Sequence, residues 1–228
     1  MKKKGFKLKW RELLVNKAID LIIVVLGVTI AFQFNNLKQR SDQRALEKFY
    51  LESMIIDLNK DLEEYKDNLS VLELNHEVAS AGIKEWEKPG KKFDSIGLGY
   101  IVVRVTSIKT FEGHRNTYST ILNENGLSII NDSELRNLII DHYRLYTAIE
   151  RFESSYLDHI SKVQDHFSQH IDFNRPDQDL MKGITENIQA KNLISVSANQ
   201  LQQGIWRYQG SIDAAIKLKK AIETIINE

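Results

Sequence analysis

The sequence predicts an all-α chain: a single N-terminal transmembrane helix followed by an elongated antiparallel helical bundle. Three observations predict it. Apolar residues recur at helical spacing over long stretches, and one N-terminal run is apolar on every side. Helix breakers are scarce, with two prolines and eleven glycines in 228 residues. A β-sandwich needs far more frequent turns than such a chain provides.

The length suits one ordinary domain plus an appendage, enough to bury a core. The chain has no cysteine, so disulfides, thiolate metal ligands and cysteine nucleophiles are excluded. A net charge of zero conceals an asymmetry. Residues 1–36 carry seven Lys/Arg against Glu12 and Asp20, and the rest carries 24 basic against 29 acidic residues. A basic tail ahead of a mildly acidic body points to membranes rather than nucleic acids.

The first element is the run Ala18 to Phe34, seventeen residues interrupted only by Asp20 and Gln33. As a helix it measures about 25 Å, against about 30 Å of bilayer hydrocarbon. Leu13, Leu14 and Val15 extend it, and Lys17 and Asp20 can reach back towards head groups. Six cationic residues from Lys2 to Arg11 mark the cytoplasmic side. The expected division is therefore a basic cytoplasmic tail over 1–17, a transmembrane anchor over 18–36, and an extracytoplasmic helical domain over 37–228. A cleaved signal peptide would need small residues before its cleavage site, where this chain has Ala31-Phe32-Gln33-Phe34. A buried helix of a soluble domain is the third reading, and the flanking charge cluster argues against it.

Next, Leu46, Tyr50, Met54, Leu58, Leu62, Tyr65, Leu69 and Leu72 follow at steps of four and three. They predict one long helix that ends before Lys88-Pro89-Gly90, since proline cannot continue it. Glu47, Lys48, Asp57, Lys60, Asp61, Glu63 and Glu64 are expected on its solvated face. Residues 93–111 fit two templates. Ile101, Val102, Val103 and Val105 favour a strand, whereas Ile96, Tyr100 and Val103 fit a helix. A short buried helix is the preferred reading. A short helix over about 114–124 follows, closed by Asn125-Gly126. Asn131 with Glu134 forms a capping-box start for a helix running to about Ile171. Residues 174–196 read as loop with one short helix, and the last helix begins near Ser197.

Two patches resemble a known family. The run Ile22-Ile23-Val24-Val25-Leu26-Gly27-Val28-Thr29-Ile30-Ala31-Phe32-Gln33-Phe34-Asn35-Asn36 resembles the VVxGxxIAxQxNNW anchor of a family of uncharacterised bacterial single-span membrane proteins. Leu37 stands where that family has tryptophan. The second patch comprises Tyr118, Gly126-Leu127, Ile129-Ile130-Asn131 and Glu134-Leu135-Arg136, ending near Ile140 and Tyr143. The resemblance implies a membrane anchor and a helical domain, and it implies no activity.

Few residues offer chemistry. His159, His166 and His170 share one helical stripe, and His166 with His170 has the H-x-x-x-H spacing of a zinc pair. Phe167 occupies the place of the metalloprotease glutamate, so that hydrolytic motif is absent. Partly exposed structural histidines are the simpler account. Arg136 and His142 form R-x5-H, a loose match to the R-x4-6-H motif of membrane-linked HEPN-type ribonucleases, in which the pair acts on an RNA phosphodiester. A packing or ion-pair role explains Arg136 equally well. Gly97-Leu98-Gly99 lacks the third glycine and the preceding strand of a phosphate loop.

The expected function is a non-enzymatic, membrane-tethered helical interaction or scaffold protein on the periplasmic side of a bacterial inner membrane. It would belong to a larger or self-associated assembly. Expected partners are lipid through residues 18–36 and protein partners or further copies of the chain, with no nucleic acid and no cofactor. A HEPN-like ribonuclease using Arg136 and His142, or a metal-binding protein using His159, His166 and His170, are the alternatives.

Overall fold

The computed structural model describes residues 4–88, 95–124, 126–170, 184 and 187–227. Every regular element among them is helical. In order they are α1 (Lys4–Trp86), α2 (Ser95–Val105), α3 (Asn116–Glu124), a single 3-10 turn (Leu127–Ile129), α4 (Ser133–Ser168) and α5 (Ile188–Asn227). Contacts divide the chain into two compact units, 1–49 and 50–228. Pro89, Gly90, Ile171, Pro176 and the short helix expected within 174–196 lie outside the described residues, except for Ile184 and the part from Asn187 onward.

In the first unit, the side chains from Leu21 to Phe34 that are large and apolar are all exposed, between 55% and 69%. This stretch makes α1 long and apolar enough to cross a membrane: its mean hydropathy reaches 1.7, and none of that window is buried. Thr29 returns its hydroxyl to the Val25 carbonyl at 2.8 Å, which removes a polar group from the helix surface.

The second unit holds the core. From α1 it takes Tyr50, Met54, Leu58, Leu62, Tyr65 and Leu72, from α4 Leu135, Ile139, Ile149, Tyr156 and Val163, and from α5 Ile194, Leu201, Tyr208, Ala215 and Ile222. Each set repeats at three and four residues, the period that puts side chains on one helical face. Cross-links fix the register. Asn59 and Asn68 of α1 meet Lys219 and Tyr208 of α5 respectively, so these helices run in opposite senses. His159 meets Ser197 and Tyr208 meets Glu153, making α4 and α5 antiparallel as well. It follows that α1 and α4 run the same way, which requires the return path through α2 and α3. At Gly204 of α5 a Cβ would lie 2.3 Å from Cζ of Phe152, so that glycine lets α4 and α5 approach closely.

Several boundaries depart from expectation. Residues Ser95–Val105 are helical, and their buried stripe is Leu98, Ile101, Val102 and Val105, whereas Tyr100 and Val103 are exposed. The cap of α4 is Asp132, whose carboxylate accepts the Leu135 N–H at 2.6 Å. Asn131 is one residue too early, and its carbonyl is taken by Arg136. Helix α5 begins at Ile188, not near Ser197. Asn187 caps it, accepting from the amides of Gln189 and Ala190, the arrangement that satisfies a helix's orphan N–H groups. Its first buried positions are Ala190, Ile194, Ser197 and Ala198, mostly too small to register as an apolar stripe.

Candidate functional site

Between α2 and α3, residues 107–115 have no regular structure, so their buried amides require partners from elsewhere. Carboxylates supply them. Glu153 of α4 accepts the Phe111 N–H at 2.9 Å. Glu64 accepts from Glu112 at 2.7 Å and from Gly113 at 3.4 Å. Asp61 accepts from His114 at 2.8 Å, and Asp57 from Thr117 in the first turn of α3 at 3.1 Å. Asp57, Asp61 and Glu64 stand at i, i+4 and i+7 of α1, one face of the helix.

This corrects part of the expectation of a solvated charged face: Lys48, Lys60 and Glu63 are exposed, whereas the other carboxylates are partly or fully buried. Asp61 is 0% exposed and Glu47 and Asp57 are each 8% exposed. Loop amides repay the desolvation of Asp57 and Asp61 with charge-assisted hydrogen bonds. A signal for it lies in the sequence: counting by sevens from Met54 gives Asp61, Asn68 and Asn75, polar residues on the core stripe. All are buried and all are used. Asn68 donates to the Tyr208 hydroxyl at 3.2 Å, and Asn75 donates to the Ser107 carbonyl at 2.5 Å.

Asp61 is the centre of the cluster. Its Oδ1 also faces His114 Nδ1 at 3.0 Å, its Oδ2 accepts the Tyr146 hydroxyl, and His142 Nε2 stands 3.8 Å from Oδ2, beyond hydrogen-bond length. Aromatic rings seal the cluster. Phe111 stacks on Tyr65 and meets Tyr146 edge-on, Tyr118 stacks on Tyr143 at 4.0 Å, and the Arg115 guanidinium lies 4.9 Å over Tyr146.

Burial alone would raise the Asp61 carboxyl, yet the His142 ring, the Tyr146 hydroxyl and the amide and ring of His114 outweigh it and hold the group below its ordinary 3.8. Burial raises Glu153 despite bonds from Tyr208 and Phe111, and burial raises Tyr65, Tyr143, Tyr146 and Tyr208. A depressed carboxyl stabilises the fold above its unfolded pKa and loses that contribution as pH falls through the folded value. We therefore expect a melting temperature that drops as pH is lowered below about 3.8, with a shallower drop in Asp61→Asn. Glu153 has the opposite sign: its raised pKa favours the fold below 4.5, and that contribution is lost as pH rises through the folded value. Circular-dichroism melts across pH 2–6 separate the two.

The residues singled out from sequence fall elsewhere or take other roles. Arg136 donates to the carbonyls of Ile130 at 2.5 Å and Asn131 at 3.1 Å, tying down the turn that enters α4. His142 lies in the Asp61 cluster against Tyr143 and Tyr146, so the two are committed to different neighbourhoods. His159 is buried, its Nε2 2.9 Å from Ser197 Oγ and 3.1 Å from the Leu193 carbonyl, and burial lowers its pKa. The rings of His166 and His170 are 5.2 Å apart. Among the described residues, the metal-compatible group of three has Asp61, Glu64 and His114, with one ligand atom from each lying within 4.8 Å of the others. Sequence reasoning missed His114 because its loop position, not a motif, brings it to α1.

No protein-family model, curated protein or solved structure matches the chain.

Proposed function

We propose that the protein is a membrane-tethered helical interaction module: residues 18–36 span a bacterial inner membrane, the basic tail stays cytoplasmic, and an elongated helical bundle works on the periplasmic side within a larger or self-associated assembly. The observation that carries this reading is the exposure of the N-terminal apolar run. Ten Leu, Ile, Val and Phe side chains between Leu21 and Phe34 lie open, and in the centre of a bilayer each favours insertion by about 0.3–0.6 kcal/mol, roughly 3–6 kcal/mol together. In water, an apolar surface of that extent invites aggregation.

Orientation is supported by the lysines and arginine ahead of the run, and the resemblance of residues 22–36 to a single-span anchor points the same way. Tethering would raise the effective concentration of the bundle for neighbours in the same membrane without any additional contact. Contact with partners is supported by large apolar side chains that stay exposed on the second unit, among them Tyr100, Val103 and Trp206. The test is membrane fractionation of cells expressing the full chain. The protein should remain in the pellet through alkaline carbonate extraction; its release into the supernatant would remove the anchor and the tethering role together.

A further inference from the structure

His142 is the buried group whose chemistry the fold leaves unexplained. Its side chain has no exposed surface, and neither ring nitrogen has a hydrogen-bond partner. A buried polar atom in that condition is costly and calls for a partner. Nε2 faces Oδ2 of Asp61 at 3.8 Å, while on the other oxygen Nδ1 of His114 sits at 3.0 Å. Two donors on one tetrahedral zinc ion, each at about 2.1 Å, stand roughly 3.4 Å apart. His114 approaches that spacing on one oxygen of Asp61, while His142 stands against the other oxygen.

The remaining requirements of a metal site are also present. Glu64 adds a second carboxylate within reach of Asp61 and His114. Its oxygens each accept one amide, from Glu112 and Gly113, and an ionised carboxylate oxygen has a second acceptor position to offer. Imidazoles combined with carboxylates suit zinc and its neighbours in the first transition row better than magnesium or calcium. Glu64 and His114 line an open groove shared with Lys60, Glu63 and Asp67, which gives an ion a route from solvent.

We propose that Asp61, Glu64 and His114 form a divalent transition-metal site, with zinc as the ion that fits the donor set and the buried His142 ring standing against the other oxygen of Asp61. The ion would take the lone pair of His114 Nδ1, and that ring's proton would reside on the opposite nitrogen. Because the ligands come from α1 and the loop before α3, the ion clips two separate segments, and binding adds to stability.

The test uses the purified full chain in detergent, stripped with chelator, and zinc alone as the probe. Calorimetry should give one zinc per chain, with a melting temperature that rises by several degrees and falls back on chelation. His114→Ala and Glu64→Gln should each weaken binding at least tenfold, and His166→Ala and His170→Ala should leave it unchanged. If His114→Ala fails to fold, Glu64→Gln and the absorption of the cobalt-substituted protein decide, because tetrahedral nitrogen–oxygen ligation gives intense visible bands that this variant should weaken. Absence of any zinc-dependent shift overturns the site. So does undiminished binding in a folded His114→Ala or Glu64→Gln, or loss of binding confined to the His166 and His170 variants.

Discussion

Asp61→Ala is expected to destabilise the protein by about 3–5 kcal/mol, the cost of removing one partner from a buried charged cluster. The carboxylate accepts the His114 amide and the Tyr146 hydroxyl and faces the His114 ring, and alanine leaves those donors without an acceptor. A cavity adds to the loss. Asp61→Asn should cost less, because its carbonyl oxygen still accepts, although its amino group would face donors. Tyr146→Phe removes one bond from the other side. A double-mutant cycle between Asp61→Asn and Tyr146→Phe should give a coupling of about 0.5–3 kcal/mol, the range for residues in one network. Chemical denaturation followed by circular dichroism measures each term. A loss for Asp61→Ala below about 1 kcal/mol would mean that water or a rearranged loop replaces the carboxylate, and that the cluster does not hold α1 to the loop.

Gly113→Ala comes second, at about 2–4 kcal/mol. Gly113 has φ +68°, and a Cβ there would lie 2.7 Å from Cε2 of Tyr146 and 2.8 Å from Cε1 of Phe111. Two costs therefore combine: a left-handed backbone that side chains rarely adopt, and overpacking against aromatic rings fixed in the core. Shifting either ring also disturbs the hydroxyl of Tyr146 on Asp61. Gly99→Ala is the matched control, since Gly99 is helical with nothing within 4 Å of a new Cβ, and alanine there should be neutral or stabilising by up to about 1 kcal/mol. Equal melting temperatures for the two variants would refute the packing account of the loop.

What the sequence displays plainly is periodic burial. Tyr50, Met54, Leu58, Leu62 and Tyr65, or Ile149, Tyr156 and Val163, are large and apolar, so spacing alone reveals the face they share. Loop chemistry is less visible. Asp61 looks like its solvated neighbours Lys60 and Glu63 until it is placed on the Met54 heptad position, and nothing local reveals that His114, fifty-three residues later, returns to it. Such contacts depend on tertiary path, and pattern arguments along one helix do not see them. Small residues mislead in the same way. Ala190, Ser197, Ala198 and Gly204 are buried because α4 and α5 approach closely, and their lack of bulk conceals the first turns of α5 from any count of apolar side chains. The sequence-derived histidines and Arg136 show the same dependence on surroundings: Arg136 holds the turn before α4 and His142 faces Asp61, while His159 meets Ser197 and the rings of His166 and His170 lie 5.2 Å apart.

The proposed anchor requires residues 18–36 to cross a bilayer with the lysine-rich end inside. A chain without cysteine lets single introduced thiols report sidedness without background. In spheroplasts, a membrane-impermeant maleimide should label Ser154→Cys, an exposed position on α4, and should reach Lys7→Cys only after the membrane is opened. Protection of Ser154→Cys in intact spheroplasts, or labelling of both positions alike, would contradict it.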